Sequence, residues 1–212
     1  MVRVKICGIT RQVDLRAAVE AGVDAVGFIA GFPESPRNIS LERVTDLSTS
    51  VPPFVSAVLV TTETFLKHNL NVISKLQIDT LQLYDCSDPV PIRETLNVDV
   101  LRPYIVGHER VSAGKAVSGY DGLVVDSYRS GLRGGTGVAQ DFDLCSKIKD
   151  EISPKPLILA GGVGPDNVVD AVKIVRPYGV DASSRLERSP GIKDPLLMKE
   201  FVKRAKESDG VM

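Results

Sequence analysis

The chain opens MVRVKICGIT (residues 1–10), and the alternation within residues 2–7 decides how the rest is read. Val2, Val4 and Ile6 are apolar, whereas Arg3, Lys5 and Cys7 bring two cations and a thiol. Successive side chains of a β-strand point to opposite faces, so the two sets separate cleanly. Such a strand suits the wall of a closed barrel: the apolar face packs on outer helices and the polar face looks inside. Cys7 then stands last in line, at the barrel mouth. Lys5 lies one layer below and requires a partner, because a lone ammonium in a core is very costly.

Working outward, short apolar runs alternate with amphipathic segments along the whole chain. Strands are predicted at 2–6, 24–29, 54–60, 79–83, 98–104, 121–126, 157–160 and 179–183. Helices are predicted near 12–21, 40–50, 62–76, 88–96, 108–118, 141–151, 165–176 and 194–207. Parallel strands need a crossover, and a strand followed each time by one helix supplies it. Eight such units of about 26 residues predict an α/β chain forming one (β/α)₈ TIM barrel domain over residues 1–212, with eight parallel strands and outer helices. A doubly wound open sheet is the alternative, but it calls for a phosphate fingerprint after the first strand, and CGIT holds a single glycine. In a closed barrel strand 8 neighbours strand 1, and its alternation turns Gly179, Asp181 and Ser183 inward. A buried Lys5–Asp181 pair is therefore expected. Asp24, Asp79, Asp99 and Asp121 each precede a strand core and read as turn chemistry at the barrel bottom. No linker divides the chain; the glycine-rich SYRSGLRGGTG (127–137) has the length of a binding loop or lid.

Composition bounds the function classes. With 212 residues, 43% hydrophobic content and a formal net charge of −1, the chain fits a soluble globular protein. It carries no electrostatic footprint for nucleic acid or for an anionic membrane. No apolar run reaches the roughly 20 residues of a membrane span, and no signal-peptide core is evident, so a cytoplasmic location is expected. Cys7, Cys86 and Cys145 are far apart with no CxxC pair, which argues against a disulfide framework and a zinc site. No metal or cofactor is expected. A monomer and a homodimer are both open.

In barrels of this class the active site lies at the C-terminal strand ends. Strand 1 ends in Cys7 and strand 6 in Asp126. Strand 7 runs into Gly161 and Gly162, and strand 8 into Ser183 and Ser184. A free cysteine often behaves as a small buried hydrophobe, but beside a glycine turn at a strand end its thiol can serve as base or nucleophile. Asp126 is either a loop acid or, at the end of an apolar strand, a carboxyl with a shifted pKa. Together they make a plausible acid/base pair. The glycine and serine ends suit phosphate binding through backbone N–H groups and a short helix start, with two ordinary βα turns as the alternative. Arg37, in the loop after strand 2, is either solvated or a clamp for a substrate carboxylate. His68 and His108 read as solvated helix positions.

These residues lie in stretches that together carry a resemblance: KICGIT (5–10), AVGFIAGFPESPRNIS (25–40), LQLYD (81–85), LVVDSYRSGLRGGTG (123–137), LAGGVGPDNV (159–168) and GVDASSRLERSPGIKD (179–194). In that order the set resembles the phosphoribosylanthranilate isomerase family of tryptophan biosynthesis. The resemblance implies a small phosphoribosyl substrate and an Amadori rearrangement without cofactor or metal. It implies Asp126 as the acid that protonates the furanose ring oxygen and Cys7, as thiolate, as the base that removes the C2′ proton. A free thiol needs its pKa lowered for that task, and nearby positive charge is expected to do so. It further implies Arg37 on the anthranilate carboxylate and the strand 7 and 8 loops (Gly161, Gly162, Ser183, Ser184) on the phosphate. One departure stands out: the family typically shows LQLHG where this chain has Tyr84 and Asp85. Tyr84 keeps a ring and a hydrogen-bonding tip but carries no positive charge at neutral pH. The alternatives are a phosphosugar isomerase barrel of another pathway, which typically has an aspartate where Cys7 stands, and an idle phosphate-ligand binding barrel.

Overall fold

A computed structural model describes residues 1–106, 112–126 and 141–208. The loop 127–137, His108 and the start of the helix predicted over 108–118 lie outside the described residues. In chain order the elements are β1 (Arg3–Cys7), α1 (Gln12–Ala21), β2 (Ala25–Ile29), α2 (Leu41–Ser48), β3 (Ser56–Thr62), α3 (Glu63–His68), α4 (Leu70–Ile73) and β4 (Thr80–Tyr84). There follow α5 (Val90–Leu96), β5 (Asp99–Ile105), α6 (Ala113–Ala116), β6 (Gly122–Asp126), α7 (Phe142–Ile152), β7 (Leu157–Ala160), α8 (Val168–Val175) and β8 (Gly179–Ala182). A 3₁₀ turn (Ser184–Leu186), the short strands β9 (Glu187–Ser189) and β10 (Ile192–Lys193), and α9 (Pro195–Ser208) complete the described chain.

Strands β1 to β8 form a closed parallel barrel in sequence order, shut by β1 against β8. All eight predicted strands are present. The helix expected over 62–76 is divided at Asn69, whose φ of −120° leaves the helical region and separates α3 from α4. The β9–β10 hairpin is an addition that hydrophobic periodicity did not announce.

The alternation read in β1 sorts as expected. Val4 and Ile6 are fully buried against the helical layer, in a continuous core shared with Phe28, Leu59, Leu81, Val125, Leu159 and Phe201. On the inner face Arg3 opens to solvent at the bottom and pairs with Asp24 at 3.1 Å. Lys5 is 5% exposed, and its Nζ donates to Asp181 Oδ2 at 2.6 Å and to Gln82 Oε1 at 3.3 Å. Lys5 stands directly opposite Asp181 in the β1–β8 register, so the expected pair spans the closing seam. Burial by itself would strip the ammonium of its proton. The adjacent carboxylate outweighs that and raises the Lys5 pKa above its ordinary value. Val124 on β6 and Ile158 and Ala160 on β7 form a separate apolar cluster, with Leu101 of β5 packed against it.

The acids at the barrel bottom have a repeated task. Asp24 accepts from the backbone N–H of Val4 at 2.8 Å, Asp79 from Ala57 at 2.7 Å, and Asp121 from Val100 at 2.8 Å. Each thereby joins the start of one strand to the turn that enters the next. Asp99 is itself the first residue of β5.

The closing pair makes a prediction for stability. Lys5→Met leaves the buried Asp181 carboxylate without its cation and is expected to lose about 3–5 kcal/mol in urea unfolding. Lys5→Met combined with Asp181→Leu is expected to recover most of that loss. Additive losses in the double variant would show that the two groups are not coupled.

Candidate active site

The C-terminal strand ends enclose a cavity of about 260 Å³, as bounded by the described residues. Cys7 and Asp126 line it from β1 and β6, on different sides of the barrel. Arg37, Gly161, Gly162, Ser183 and Ser184 line it as well. Every residue singled out in the sequence as a site candidate thus reaches one cavity.

The thiol is held in a fixed place. Cys7 is 6% exposed, and Gly27 lies beside it in the β1–β2 register. A Cβ on Gly27 would stand 2.7 Å from Cys7 Sγ, so that glycine leaves room for the sulfur. The expected lowering of the Cys7 pKa is not found. Burial pushes the thiol up, and the positive charges of Lys5 and Lys193, which favour the thiolate, do not offset it. The thiol is therefore mainly protonated at neutral pH in this structure.

The turn after Cys7 explains the single glycine of CGIT. Gly8 has a φ of +75°, which strains any other residue. A Cβ there would meet Arg37 Cδ at 2.7 Å and Ser183 Oγ at 3.0 Å. The Arg37 stem therefore lies across this turn, close to the end of β8. Its guanidinium is engaged rather than solvated: Nε donates to Glu187 Oε1 at 2.7 Å and Nη2 to Glu187 Oε2 at 2.6 Å. Glu187 in turn accepts from Lys193 Nζ at 2.8 Å, and Lys193 also donates to the Ser183 carbonyl at 3.1 Å and to Ser183 Oγ at 3.3 Å.

Sequence reading missed Glu187 and Lys193. A signal was present, because Pro190-Gly191 is a turn dipeptide, and a turn there brings the flanking residues together. The β9–β10 register does place Lys193 opposite Glu187. Thr10 Oγ1 anchors the hairpin by donating to the Gly191 carbonyl at 2.7 Å.

On the far side of β8, Gly161 and Gly162 both adopt positive φ, at 74° and 73°. Asn167 braces this turn: its side chain accepts from the Gly164 N–H at 2.8 Å and donates to the Gly162 carbonyl at 3.1 Å. Ser184 begins the 3₁₀ turn, where the first backbone N–H groups have no partner within the helix. A turn of glycines facing a helix start is a suitable cradle for an anion.

Tyr84, which replaces the family's usual histidine, also lines the cavity. Burial raises its phenol to about 12, so it is a neutral hydrogen-bonding group at physiological pH. Its ring stands edge-on to Phe32, with centroids 5.3 Å apart. Asp85, which replaces a glycine, has a φ of 58°. A glycine meets that conformation freely, and aspartate is among the residues that tolerate it. His68 is exposed on α3 and bonds the Thr64 carbonyl, as expected of a solvated position.

Comparison with known proteins places this geometry. A family model described as N-(5′phosphoribosyl)anthranilate (PRA) isomerase matches residues 4–204. The N-(5′-phosphoribosyl)anthranilate isomerase of Methanopyrus kandleri is 40% identical, covering 97% of this chain and 99% of its own. That of Haloferax volcanii is 37% identical over 100% of this chain and 96% of its own. The crystal structure of phosphoribosyl anthranilate isomerase from Thermotoga maritima superposes with a TM-score of 0.83 at 36% identity, covering 98% of this chain and 100% of its own. A phosphoribosyl anthranilate isomerase in complex with reduced 1-(o-carboxyphenylamino)-1-deoxyribulose 5-phosphate gives a TM-score of 0.80 at 34% identity, over 98% and 100% of the two chains. Among the described residues, no helix is long and apolar enough to cross a membrane.

The raised thiol has a measurable consequence. Alkylation of Cys7 by iodoacetamide requires the thiolate. It is expected to be slow at pH 8 compared with a free cysteine, and to accelerate through a midpoint above the ordinary thiol value. Peptide mapping assigns the site. A midpoint below that value would mean that the flanking lysines outweigh burial.

Proposed function

The chain belongs to the N-(5′-phosphoribosyl)anthranilate isomerase family, and we propose that it catalyses that isomerisation, a step of tryptophan biosynthesis, with Asp126 as acid and Cys7 as base. The observation that carries this reading is the convergence of Cys7, Asp126, Arg37 and the β7 and β8 loops on one cavity. The substrate, N-(5-phosphoribosyl)anthranilate, has an anion at each end and the reacting carbons between them. Its phosphate fits the cradle of Gly161, Gly162, Ser183 and Ser184. Its carboxylate fits Arg37.

Between these anchors, Asp126 gives a proton to the furanose ring oxygen. The C1′–O bond breaks as the anilino nitrogen lone pair forms a protonated Schiff base. The Cys7 thiolate then takes the C2′ proton, and the C2′–H electron pair neutralises the iminium to give an enolamine. Tautomerisation delivers the ketone, 1-(2-carboxyphenylamino)-1-deoxyribulose 5-phosphate. Protons balance across the sequence, since Asp126 loses one and Cys7 gains one, and both states are reset through solvent. The iminium also eases the demand on Cys7. A positive charge formed beside the buried thiol favours the thiolate, and it appears at the step that needs the base. Lys5, beneath Cys7, acts in the same direction. Asp181 Oδ1, buried and without a hydrogen-bond partner among the described residues, offers an acceptor for a sugar hydroxyl.

Tyr84 stands at the cavity wall as a neutral ring packed edge-on against Phe32, and it does not move protons near pH 7. The proposed chemistry runs through β1 and β6 and does not call on β4. A small-molecule phosphoribosyl substrate is the partner this site fits, and the protein works as a monomer or a homodimer.

The test is loss of anthranilate fluorescence when purified protein meets freshly generated phosphoribosylanthranilate. Wild-type turnover is expected. Cys7→Ser and Asp126→Asn are each expected to lower kcat by about 10²–10⁴-fold, the usual share of a general acid or base. Arg37→Ala is expected to act mainly on KM. Wild-type rates in Cys7→Ser would remove the assigned base. Binding of the reduced product without turnover in the wild type would assign an idle barrel instead.

A further inference from the structure

Glu187 and Lys193 are buried ionisable groups at the barrel mouth that neither give nor take a proton in the proposed reaction. Their side chains are 4% and 0% exposed. Glu187 bridges two cations, taking both oxygens to Arg37 and sharing Oε1 with Lys193. Stability alone does not account for this cluster. Buried ion triads are weak stabilisers, and apolar replacements of similar volume are often as stable or more so.

Its geometry suits another purpose. A guanidinium offers two hydrogen-bonding edges, one made by Nε and Nη2 and the other by Nη1 and Nη2. Glu187 occupies the first, and among the described residues no side chain or carbonyl bonds Nη1. The remaining edge matches a carboxylate, and Arg37 lines the cavity. Lys193 settles the charge. Arg37 with Glu187 alone would be a neutral pair with little attraction for an anion, whereas the triad carries a net charge of +1. Lys193 also reaches the carbonyl and Oγ of Ser183, the residue that leads into the phosphate cradle. One buried ammonium therefore joins the anchor of the carboxylate clamp to the start of the phosphate loop. The Arg37 stem over Gly8 restrains the same unit from the other side.

We propose that Glu187 and Lys193 are positioning residues: they hold the free edge of Arg37 toward the substrate carboxylate at a set separation from the phosphate cradle, so that the site selects ligands with two anions at that spacing. This rests on the function proposed above. Neither residue touches the reacting carbons; both act through Arg37 and Ser183. Specificity for the anthranilate over a plain anilino group is then a property of the hairpin formed by β9 and β10, which carries both residues.

Calorimetry on the full chain tests this with two ligands: reduced 1-(o-carboxyphenylamino)-1-deoxyribulose 5-phosphate and its counterpart lacking the ring carboxylate. Glu187→Gln is near-isosteric. Although it leaves the cluster more positive, it loosens the anchor of the Arg37 fork. It is expected to weaken the carboxylated ligand by about 10- to 100-fold, the scale of a charge-assisted contact, and the carboxylate-free ligand by less than about twofold. Tighter binding of the carboxylated ligand would overturn the positioning role. KM for phosphoribosylanthranilate is expected to rise in step, with kcat changed only a few-fold. Lys193→Met carries the same expectation for the two ligands but not for kcat, because Lys193 also favours the Cys7 thiolate; if it does not fold, Glu187→Gln decides alone. Equal weakening of both ligands, or a fall in kcat at constant KM, would overturn the positioning role. Wild-type protein that neither turns over the substrate nor prefers the carboxylated ligand would overturn the function itself. Wild-type turnover and preference, unchanged in Glu187→Gln, would overturn only the positioning role.

Discussion

One buried ion pair spans the seam that closes the barrel. Lys5 and Asp181 face each other across the seam where the first strand meets the last, 2.6 Å apart. Both charges would be very costly alone in the interior, and each makes the other tolerable. Because they stand opposite in register, the pair also favours one alignment of β1 on β8. A slip by one residue would send every inward side chain to the helical face and leave two charges among valines and leucines. That constraint puts Cys7 at the mouth rather than in the core.

Above this pair, the two halves of the site are built differently. The β1 side is a set of polar and ionic contacts through chain segments far apart: Arg37 from the loop after β2, Glu187 and Lys193 from the β9–β10 hairpin, and Ser183 from the end of β8. The β7 side is made of backbone, with two glycines at positive φ braced by Asn167. Side chains recognise a carboxylate by fork geometry, and backbone N–H groups recognise a phosphate by surrounding it. The proposed acid and base lie between them, where burial rather than charge dominates the Cys7 thiol. An enzyme with such a thiol gains from chemistry that creates its own cation next to the base.

The replacements at Tyr84 and Asp85 fit this division. They lie on β4 and its exit turn, outside both anion anchors. Tyr84 closes the wall against Phe32, and Asp85 accepts the left-handed backbone that glycine takes more freely. Neither removes a group that the proposed acid/base chemistry uses.

Much of this was legible in the linear sequence because it is local. Strand alternation in residues 2–7, the strand-and-helix repeat, and the acids before the strands follow from side-chain periodicity and turn preference, which act over a few residues. Even the Lys5–Asp181 pair was readable, since closure of an eight-strand barrel makes the first and last strands neighbours. The tertiary structure alone decided that Arg37 is gripped by Glu187, that Lys193 lies buried beneath them, and that Cys7 is raised rather than lowered. Those outcomes depend on distances between segments 150 residues apart or more and on how much water the fold excludes. Neither quantity is written in the order of the residues.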